Sequence, residues 1–286
     1  MPNEIVPYAR GRVRGLAQAG YESFDFASLP WDEIRSQPTP GVELVKSSET
    51  RRVLKVEWNG PRGIETLYAK RNRLRRGYRG ILYWFAASKS RQEFHLGRRL
   101  FDRGIPTAMP VAFGEEKRWG LQSANYLLLR ELAGVTPLQD RWAAGLDRAT
   151  RWHLARAFAK FFRQAHENGF YHDDCAAEHV LAAQKSPKGT GGATGEWKFF
   201  FIDLDNGRLR NKPLRVGLRR HNFFQLWKSF PSRSLSPLDA LVFLRAYYGK
   251  EYTCARAREN FEAVARWMKW KPRVRRVKKI LRRKVI

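Results

Sequence analysis

Short apolar stretches separated by turns follow one another after residue 41, and this pattern predicts strands. From Lys89 to Asp102 the apolar side chains recur at mostly helical spacing, and Gly104 and Pro106 end that pattern. The first part of the chain is therefore predicted to form a mostly antiparallel sheet with one inserted helix. The predicted strands are Val42–Val45, Arg52–Trp58, Ile64–Lys70, Pro110–Gly114 and Tyr126–Leu132.

Past Gly134 the apolar positions change to helical spacing. One apolar helix face carries Leu154, Phe158, Phe161, Phe162 and Ala165. We expect Gly169 to follow the end of this helix, where a left-handed residue is favoured. Two short strands and three more helices are predicted after it, at Val180–Ala183, Trp197–Ile202, Phe223–Phe230, Pro237–Tyr248 and Ala255–Lys269.

These patterns predict an α+β chain with a smaller sheet lobe and a larger helical lobe. Residues 1–40 are rich in turns and end in Gln37-Pro38-Thr39-Pro40-Gly41, which favours a lead-in segment rather than a domain. Residues 41–133 form the predicted sheet lobe, and residues 134–265 form the helical lobe. Residues 266–286 are a basic tail without acidic residues, whose apolar positions fall on roughly one helical face.

The charge is strongly one-sided. The 286 residues include 55 Lys and Arg against 27 Asp and Glu, a formal net charge of +28, so an anionic partner is expected. Lys70–Phe85 and Arg266–Ile286 are the basic segments with apolar or aromatic neighbours, and they suit an anionic membrane surface. For the tail, a short basic helix packed on its own domain is the alternative. Charge alone also allows nucleic acid or a phosphorylated acceptor.

Three features indicate a soluble cytoplasmic protein that can lie on a membrane surface. The first 18 residues lack the apolar core of a signal peptide, and the longest compact apolar run, Ile81–Ala87, is too short to span a bilayer. The two cysteines, Cys175 and Cys254, suggest no disulfide framework and suit a reducing compartment.

Two acidic clusters lie between Gly169 and Asn206. The first contains His172, Asp173, Asp174 and His179 on a loop that leaves a helix, and the second contains Asp203 and Asp205 after an apolar strand. A phosphoryl-transfer site needs one carboxylate to orient a hydroxyl and another to hold Mg²⁺. The clusters are therefore candidates for that chemistry, although an Asp before a turn is more often a cap.

The order of elements and motifs resembles the protein-kinase-like two-lobe fold. His172-Asp173-Asp174 followed by His179 looks like the kinase catalytic loop, and Asp203-Leu204-Asp205 looks like the metal-binding DFG motif. More narrowly, QEFHLGRRLFDRGIPTAMPVAFGE, YLLLRELAGVTPL, HDDCAAEHVL and IDLDNGRLR are similar to the bacterial lipopolysaccharide core kinases that phosphorylate heptose or Kdo. The resemblance covers roughly residues 42–229.

The resemblance implies an enzyme that uses ATP and Mg²⁺. Asp174 is then the base that orients the acceptor hydroxyl, and Asp203 binds the metal. Lys70 neutralises the nucleotide phosphates while Glu93 fixes its direction. Glu131 lies in the connector that binds adenine.

This chain departs from the protein-kinase pattern in three places. His179 stands where kinases have a metal-binding Asn, and with Cys175 it favours the heptose branch over the Kdo branch. Asp173 replaces the Arg that pairs with a phosphorylated activation loop. The turn from Lys46 to Arg51 has no glycine, so Ser47, Ser48 or Arg51 would have to take over the phosphate contact of a glycine-rich loop.

Several alternatives stay open on the sequence alone. A zinc site from His172, Cys175 and His179 lacks a fourth ligand. His166 is expected to be a surface or helix-end histidine, and His172 a structural one. The acceptor could instead be Kdo, a protein or a small molecule, and the chain could be a non-catalytic nucleic-acid- or membrane-binding protein. The choice of ATP over GTP and the oligomeric state are not determined.

Overall fold

The structure is a computed structural model of the chain. It describes residues 4–34, 37–73, 87–118, 121–184, 195–230, 234–264 and 266. The chain divides into two compact units. The first is Met1–Ala133 with Asp203–Asp205, and the second is Gly134–Ile202 with Asn206–Ile286.

The first unit is built on a seven-stranded antiparallel sheet with the strand order β1-β2-β6-β7-β5-β4-β3. The long central strands alternate buried positions between two faces, which accounts for the period-two pattern of the sequence. The strands are β1 (Ile5–Arg10), β2 (Val13–Gln18), β3 (Val42–Ser47), β4 (Arg51–Gly60), β5 (Gly63–Arg73), β6 (Pro110–Arg118) and β7 (Leu121–Arg130).

Strands β1 and β2 differ from the lead-in segment predicted for residues 1–40. They join the sheet through β6, and Gly15 makes that pairing possible because a Cβ there would lie 2.0 Å from the Phe113 carbonyl oxygen. The residues that follow cover one face of the sheet with buried aromatic side chains, namely Tyr21, Phe24, Phe26 and Trp31. These strands are short and carry scattered arginines and glycines, so their sequence gives little alternation from which to predict them.

The helix α1 (Lys89–Asp102) packs on the other face of this sheet. Its bounds are those predicted. The helix begins after Ser88, whose hydroxyl accepts a hydrogen bond from the Arg91 N–H at 3.1 Å, and Gly104, with a φ of +67°, lies just beyond its last turn. Phe94 packs on Phe113, with ring centroids 5.0 Å apart. The sheet is thus buried between α1 on one side and the N-terminal aromatic segment on the other.

The second unit is mainly helical. Its helices are α2 (Leu138–Ala143), α3 (Arg148–Glu167), α4 (Val216–Ser229), α5 (Pro237–Tyr248) and α6 (residues 254–264). Its short strands form one sheet from β8 (Thr136–Pro137), β10 (Val180–Gln184) and β11 (Trp197–Phe201), and another from β9 (Phe170–His172) and β12 (Gly207–Leu209).

The long helix α3 positions the loop that carries the first acidic cluster. It ends at Glu167, and Gly169 follows with a φ of +79°, as predicted. A Cβ at Gly169 would lie 2.3 Å from the Arg210 carbonyl oxygen, so the exit from the helix requires glycine both for its dihedral angle and for space. The aromatic face of α3, with Phe158 and Phe162, packs on Phe243 of α5.

Several predictions lie outside the described residues. They concern most of the basic segment Lys70–Phe85 and nearly all of the tail Arg266–Ile286. Within the described part of the chain, no helix combines the length and apolarity that crossing a membrane requires.

Candidate functional site

Lys70 occupies the face of β5 that looks toward α1. Alternation along the strand sends Leu67 and Ala69 into the aromatic core, whereas Tyr68 and Lys70 point to the opposite face. There the Lys70 Nζ donates to the Glu93 Oε1 at 2.7 Å, with side chains only 11% and 4% exposed. The structure therefore brings together the lysine and the glutamate that the sequence paired.

Asp203 completes this group from a strained position. Its Oδ1 lies 3.6 Å from the Lys70 Nζ. It is the one residue other than glycine with a positive φ, +57°, among the described residues. A left-handed conformation costs an L-residue about 1–2 kcal/mol, and such strain is concentrated at functional sites. The turn thus holds the carboxylate beside the lysine at an energetic cost.

Two further cations bind this acidic turn, and the sequence did not predict these pairings. Arg51 forms a two-pronged ion pair with Asp203, through Nη2–Oδ1 at 2.7 Å and Nη1–Oδ2 at 3.2 Å. Burial lowers the pKa of Arg51, but the Asp203 carboxylate, together with Glu93 and Asp205, outweighs burial and holds the pKa above its usual value. Asp205 accepts from the Lys89 Nζ at 2.9 Å and is almost fully buried, so it connects the turn to the start of α1.

Leu204 packs between these two aspartates against the middle of α1. It is buried, and its Cδ1 would lie 3.5 Å from a Cβ placed on Gly97. The Asp203–Asp205 turn is therefore fixed to the helix that carries Glu93 by one ion pair and one apolar contact. The position of Asp203 and the direction of Lys70 consequently depend on the same helix.

In the second unit, hydrogen bonds between His172 and backbone groups shape the loop that carries Asp174. The Asp174 N–H donates to the His172 Nδ1 at 3.3 Å, and the His172 Nε2 donates to the Ile202 carbonyl at 3.2 Å. This geometry supports the predicted structural role of His172. The Asp174 side chain is 60% exposed, so a substrate in solution can reach its carboxylate.

His179 lies next to Asp174 in this loop. Its Nδ1 donates to the Asp174 carbonyl oxygen at 2.8 Å, and its Nε2 lies 3.8 Å from the Glu178 Oε1. Its ring stacks on His172 with the ring centroids 5.8 Å apart. The imidazole is thus oriented as a metal-binding imidazole would be.

A series of buried hydrogen bonds packs against the loop that carries Asp174. The Tyr247 hydroxyl donates to the His166 Nδ1 at 2.8 Å, and the His166 Nε2 donates to the Asn222 Oδ1 at 3.2 Å. The Asn222 amide in turn donates to the His172 carbonyl. His166 lies in the last turn of α3, as expected of a helix-end histidine, but it is not at the surface, because it is 1% exposed and burial lowers its pKa to about 3.

Asp173 and Cys175 both make contacts within the second unit. Asp173 accepts from the Tyr171 hydroxyl at 2.7 Å, which holds its carboxylate at the surface of that unit. Cys175 is fully buried, and burial raises the pKa of its thiol, so the thiol stays protonated. A protonated buried thiol gives no support to the zinc alternative.

The other predicted nucleotide contacts are arranged differently. The Glu131 carboxylate pairs with the Lys55 Nζ at 2.9 Å, and the Glu131 N–H donates to the Thr66 carbonyl at 3.1 Å. The Ser48 hydroxyl bonds to the backbone of Arg51 and shapes the turn between β3 and β4, and Ser47 is the last residue of β3. Neither Glu131 nor the two serines are brought together with Lys70 and Asp203 by the contacts of the first unit.

The metal-binding chemistry rests on donor type and charge. Among the described residues, no group of three or more His, Cys, Asp or Glu side chains is gathered as a ready-made metal site. Carboxylate oxygens are the ligands that Mg²⁺ prefers, and it keeps several waters and takes further oxygens from substrate phosphates. A partly exposed Asp203 fits this requirement, because one or two protein carboxylates are enough for such a site.

Comparison with known proteins supports a kinase-like fold and phosphoryl transfer to a sugar. The chain is 27% identical over 213 residues to the lipopolysaccharide core heptose(I) kinase WaaP of Escherichia coli K12, covering 72% of this chain and 78% of that protein. It is 29% identical over 131 residues to the 3-deoxy-D-manno-octulosonic acid kinase of Xylella fastidiosa 9a5c, covering 45% of this chain and 46% of that protein.

A solved structure described as WaaP in complex with acyl carrier protein superposes with a TM-score of 0.58. It is 22% identical in sequence, and the match covers 80% of this chain and 86% of that one. This similarity confirms the kinase-like α+β fold. Residues 39–247 match the lipopolysaccharide kinase (Kdo/WaaP) family, which confirms the resemblance seen in the motifs, and the chain belongs to that family.

Proposed function

We propose that this kinase transfers the γ-phosphate of ATP to a heptose hydroxyl in the inner core of lipopolysaccharide, with Mg²⁺ as the metal. The observation that carries the proposal is the buried pair of Lys70 and Glu93 beside the strained Asp203. A lysine fixed by a glutamate and facing a carboxylate is the arrangement that phosphoryl transfer from a nucleotide uses.

Each residue has a role that follows from its surroundings. Lys70 neutralises nucleotide phosphates, and Glu93 holds the ammonium in one direction. Asp203 would hold the magnesium ion, which supplies positive charge to the phosphate oxygens when it is bound. Asp174 is exposed and accepts a hydrogen bond from the sugar hydroxyl, which it orients before taking its proton late in the reaction.

His179 is proposed as a second protein ligand of the metal. Its Nδ1–H is held by the Asp174 carbonyl, so the basic Nε2 is presented in a fixed orientation. An imidazole suits Mn²⁺ better than Mg²⁺, since Mg²⁺ prefers oxygen. We therefore expect His179→Asn to lower the ratio of Mn²⁺-supported to Mg²⁺-supported kcat/KM, whereas an unchanged ratio would assign His179 a purely structural role.

Heptose is proposed over Kdo on the extent of the similarity. The match to the heptose kinase covers 72% of this chain, and the match to the Kdo kinase covers 45%. A Kdo hydroxyl is the alternative acceptor. The remaining acceptors, a protein or a small cationic molecule, are disfavoured, the cationic one because of the +28 charge of the chain.

The adenine is proposed to bind at the connector that contains Glu131. The N–H groups of Arg130 and Glu131 already donate to Met109 and Thr66 within the first unit. The base must therefore use other backbone groups of the connector.

The proposed place of action is the inner face of the cytoplasmic membrane, where the part of the basic segment Lys70–Phe85 that follows β5, together with Arg266–Ile286, would meet anionic lipid. Sedimentation with vesicles of phosphatidylglycerol, compared with vesicles of phosphatidylcholine, tests this. Binding to the anionic vesicles that salt weakens supports the proposal. Equal binding to both kinds of vesicle, or stronger binding to duplex DNA than to anionic vesicles, would contradict it.

A transfer assay with mass analysis of the acceptor tests the substrate. The purified chain is given ATP and Mg²⁺ with either heptose-containing core lipopolysaccharide that lacks phosphate or lipid A carrying only Kdo. Phosphate on the heptose-containing acceptor supports the proposal, and phosphate on the Kdo acceptor supports the alternative. If neither is modified and Asp174→Asn behaves as the unchanged chain does, the proposed activity is wrong.

A thermal shift measurement separates a kinase from a non-catalytic protein. A ligand at a hundred times its Kd stabilises the folded state by about 2.7 kcal/mol. The kinase should be stabilised by ATP more strongly with Mg²⁺ than without it. A protein that only binds lipid or nucleic acid should show no such Mg²⁺-dependent gain.

A further inference from the structure

The turn between β3 and β4 presents an arginine where other kinases use backbone. Ser48 and Arg51 close this turn through the bond from the Ser48 N–H to the Arg51 carbonyl, at 2.8 Å, and through the Ser48 hydroxyl. The side chain of Arg51, the first residue of β4, is therefore fixed at its base. A turn without glycine cannot bring its backbone close to phosphates, so any contact from here must come from a side chain.

The Arg51 guanidinium covers both carboxylate oxygens of Asp203 in a two-pronged pair, at 2.7 and 3.2 Å, and its Nη2 lies 3.9 Å from the Asp205 Oδ2. Both partners of the main pair are about four-fifths buried, with exposures of 21% and 20%. The carboxylate that the proposed function assigns to magnesium thus already has an internal cation on it.

The third donor of Arg51 is not satisfied by these contacts. Its Nε is buried and has no hydrogen-bond partner. A buried donor without an acceptor is unfavourable, so this arrangement is not the most favourable one available to a guanidinium. A phosphate can accept from Nε and Nη of one arginine at the same time, which would satisfy this donor.

Among the described residues, three ion pairs join the carboxylates in and around the Asp203–Asp205 turn to cations. The carboxylates of Glu93, Asp203 and Asp205 are matched by Lys70, Arg51 and Lys89. A divalent cation that arrives alone would meet a site already neutralised, and it would have to compete with Arg51. A nucleotide brings several negative charges, and these give Arg51 a new partner when it leaves Asp203.

We propose that Arg51 is a latch on Asp203: it holds the carboxylate until a nucleotide binds, then moves to the phosphates and releases Asp203 to the metal. This inference rests on the proposed role of Asp203 as a metal ligand. Arg51 would then supply the phosphate contact that the backbone of the glycine-free turn cannot make. It would also make nucleotide bind before the metal. A purely structural ion pair would have neither consequence.

Metal binding without nucleotide separates the latch from a structural pair. The probe is Mn²⁺ alone, followed by electron paramagnetic resonance of the free ion, with the full chain and with Arg51→Gln. Loss of the competing cation should tighten Mn²⁺ binding about tenfold or more, because the charge-assisted pair with Asp203 no longer opposes it. A structural pair predicts the opposite, since a loosened Asp203 would bind metal more weakly.

Nucleotide binding should change in the other direction. Binding of a non-hydrolysable ATP analogue without metal, measured by calorimetry, is expected to weaken about tenfold or more in Arg51→Gln. Arg52→Gln is the matched control, because it removes the same charge one residue away, and Arg52 pairs with Asp32 rather than with Asp203. It should leave both affinities unchanged.

The outcomes distinguish the latch from the function on which it rests. If the unchanged chain binds Mn²⁺ with the analogue, and Asp203→Asn abolishes this, the metal role of Asp203 stands. Unchanged or weaker Mn²⁺ binding in Arg51→Gln then overturns the latch alone. If the unchanged chain binds no Mn²⁺ even with the analogue, the metal assignment and the latch both fail. Should Arg51→Gln not fold, Arg51→Lys carries the test, because an ammonium cannot bind both oxygens as a fork does.

Discussion

Lys70 of β5 and Glu93 of α1 form a buried ion pair with 2.7 Å between Nζ and Oε1. The pair joins the strand that carries the proposed phosphate contact to the helix that packs on the same sheet. A buried charge is tolerated only when it is paired and hydrogen-bonded, so each of these residues depends on the other. Because Asp203 lies 3.6 Å from the same ammonium, loss of Lys70 would leave the buried Glu93 carboxylate without its partner and would also remove a cation beside Asp203.

Lys70→Met should therefore be strongly destabilising as well as inactive. Removing one partner of a buried pair costs about 3–5 kcal/mol, because the other charge stays buried without compensation. The double variant Lys70→Met/Glu93→Gln should recover much of this free energy of unfolding and remain inactive. Urea unfolding and the transfer assay measure the two effects. Activity in the double variant would show that Lys70 serves stability only.

The elements with regular periodicity and clear end signals could be predicted from the sequence. The helix Pro237–Tyr248 begins at a Ser236 capping box with Asp239 and ends at Gly249, and its predicted bounds are those observed. The same holds for α1. Such signals are local, since a helix end is determined by residues within one turn of it.

The pairings that complete the site could not be predicted in this way. Arg51 and Asp203 are 152 positions apart, and Lys89 and Asp205 are 116 apart. An ion pair between distant residues leaves no periodic trace in the sequence, so a motif can identify one member without identifying its partner. The order of family motifs identifies Lys70, Glu93, Asp174 and Asp203. It gives no such indication for the pairing of Arg51 with Asp203 or of Lys89 with Asp205.

Asp174→Asn should abolish most of the activity without changing stability. The side chain is 60% exposed and carries no buried charge, so the free energy of unfolding should stay within about 0.5 kcal/mol of the unchanged chain. Loss of a group that orients and deprotonates the acceptor should lower kcat by about 10²–10⁴. Glu262→Gln, at 58% exposure in α6, is the control and should retain activity. Equal losses in the two variants would argue against a special role for Asp174.

Gly97→Ala should damage the site from outside it. A Cβ at this position would lie 2.8 Å from the Pro110 Cγ and 2.9 Å from its Cδ, and a proline ring cannot turn away. We expect a loss of about 1–3 kcal/mol in the free energy of unfolding and a lower affinity for ATP, because α1 must shift with Glu93. Gly217→Ala, in a helix with nothing within 4 Å, should be neutral or stabilising by up to about 1 kcal/mol. A Gly97→Ala variant as stable as Gly217→Ala would contradict the close packing of α1 on β6.

His166 should make the stability of the chain fall in mild acid. Its folded-state pKa of about 3 lies below the unfolded value of about 6.5, so between these values the unfolded chain binds a proton that the folded chain refuses. Stability from this residue is fully present above about pH 6.5 and is lost at about 1.4 kcal/mol per pH unit as the pH falls toward 3.

Urea unfolding at pH 7, 6 and 5 should show a smaller decline in His166→Gln than in the unchanged chain. Tyr247→Phe, which removes the hydrogen bond to the His166 Nδ1 but no titrating group in this range, should lower stability by a similar amount at each pH. Equal declines in His166→Gln and the unchanged chain would show that the imidazole accepts a proton without unfolding, contrary to its burial beneath the loop that carries Asp174.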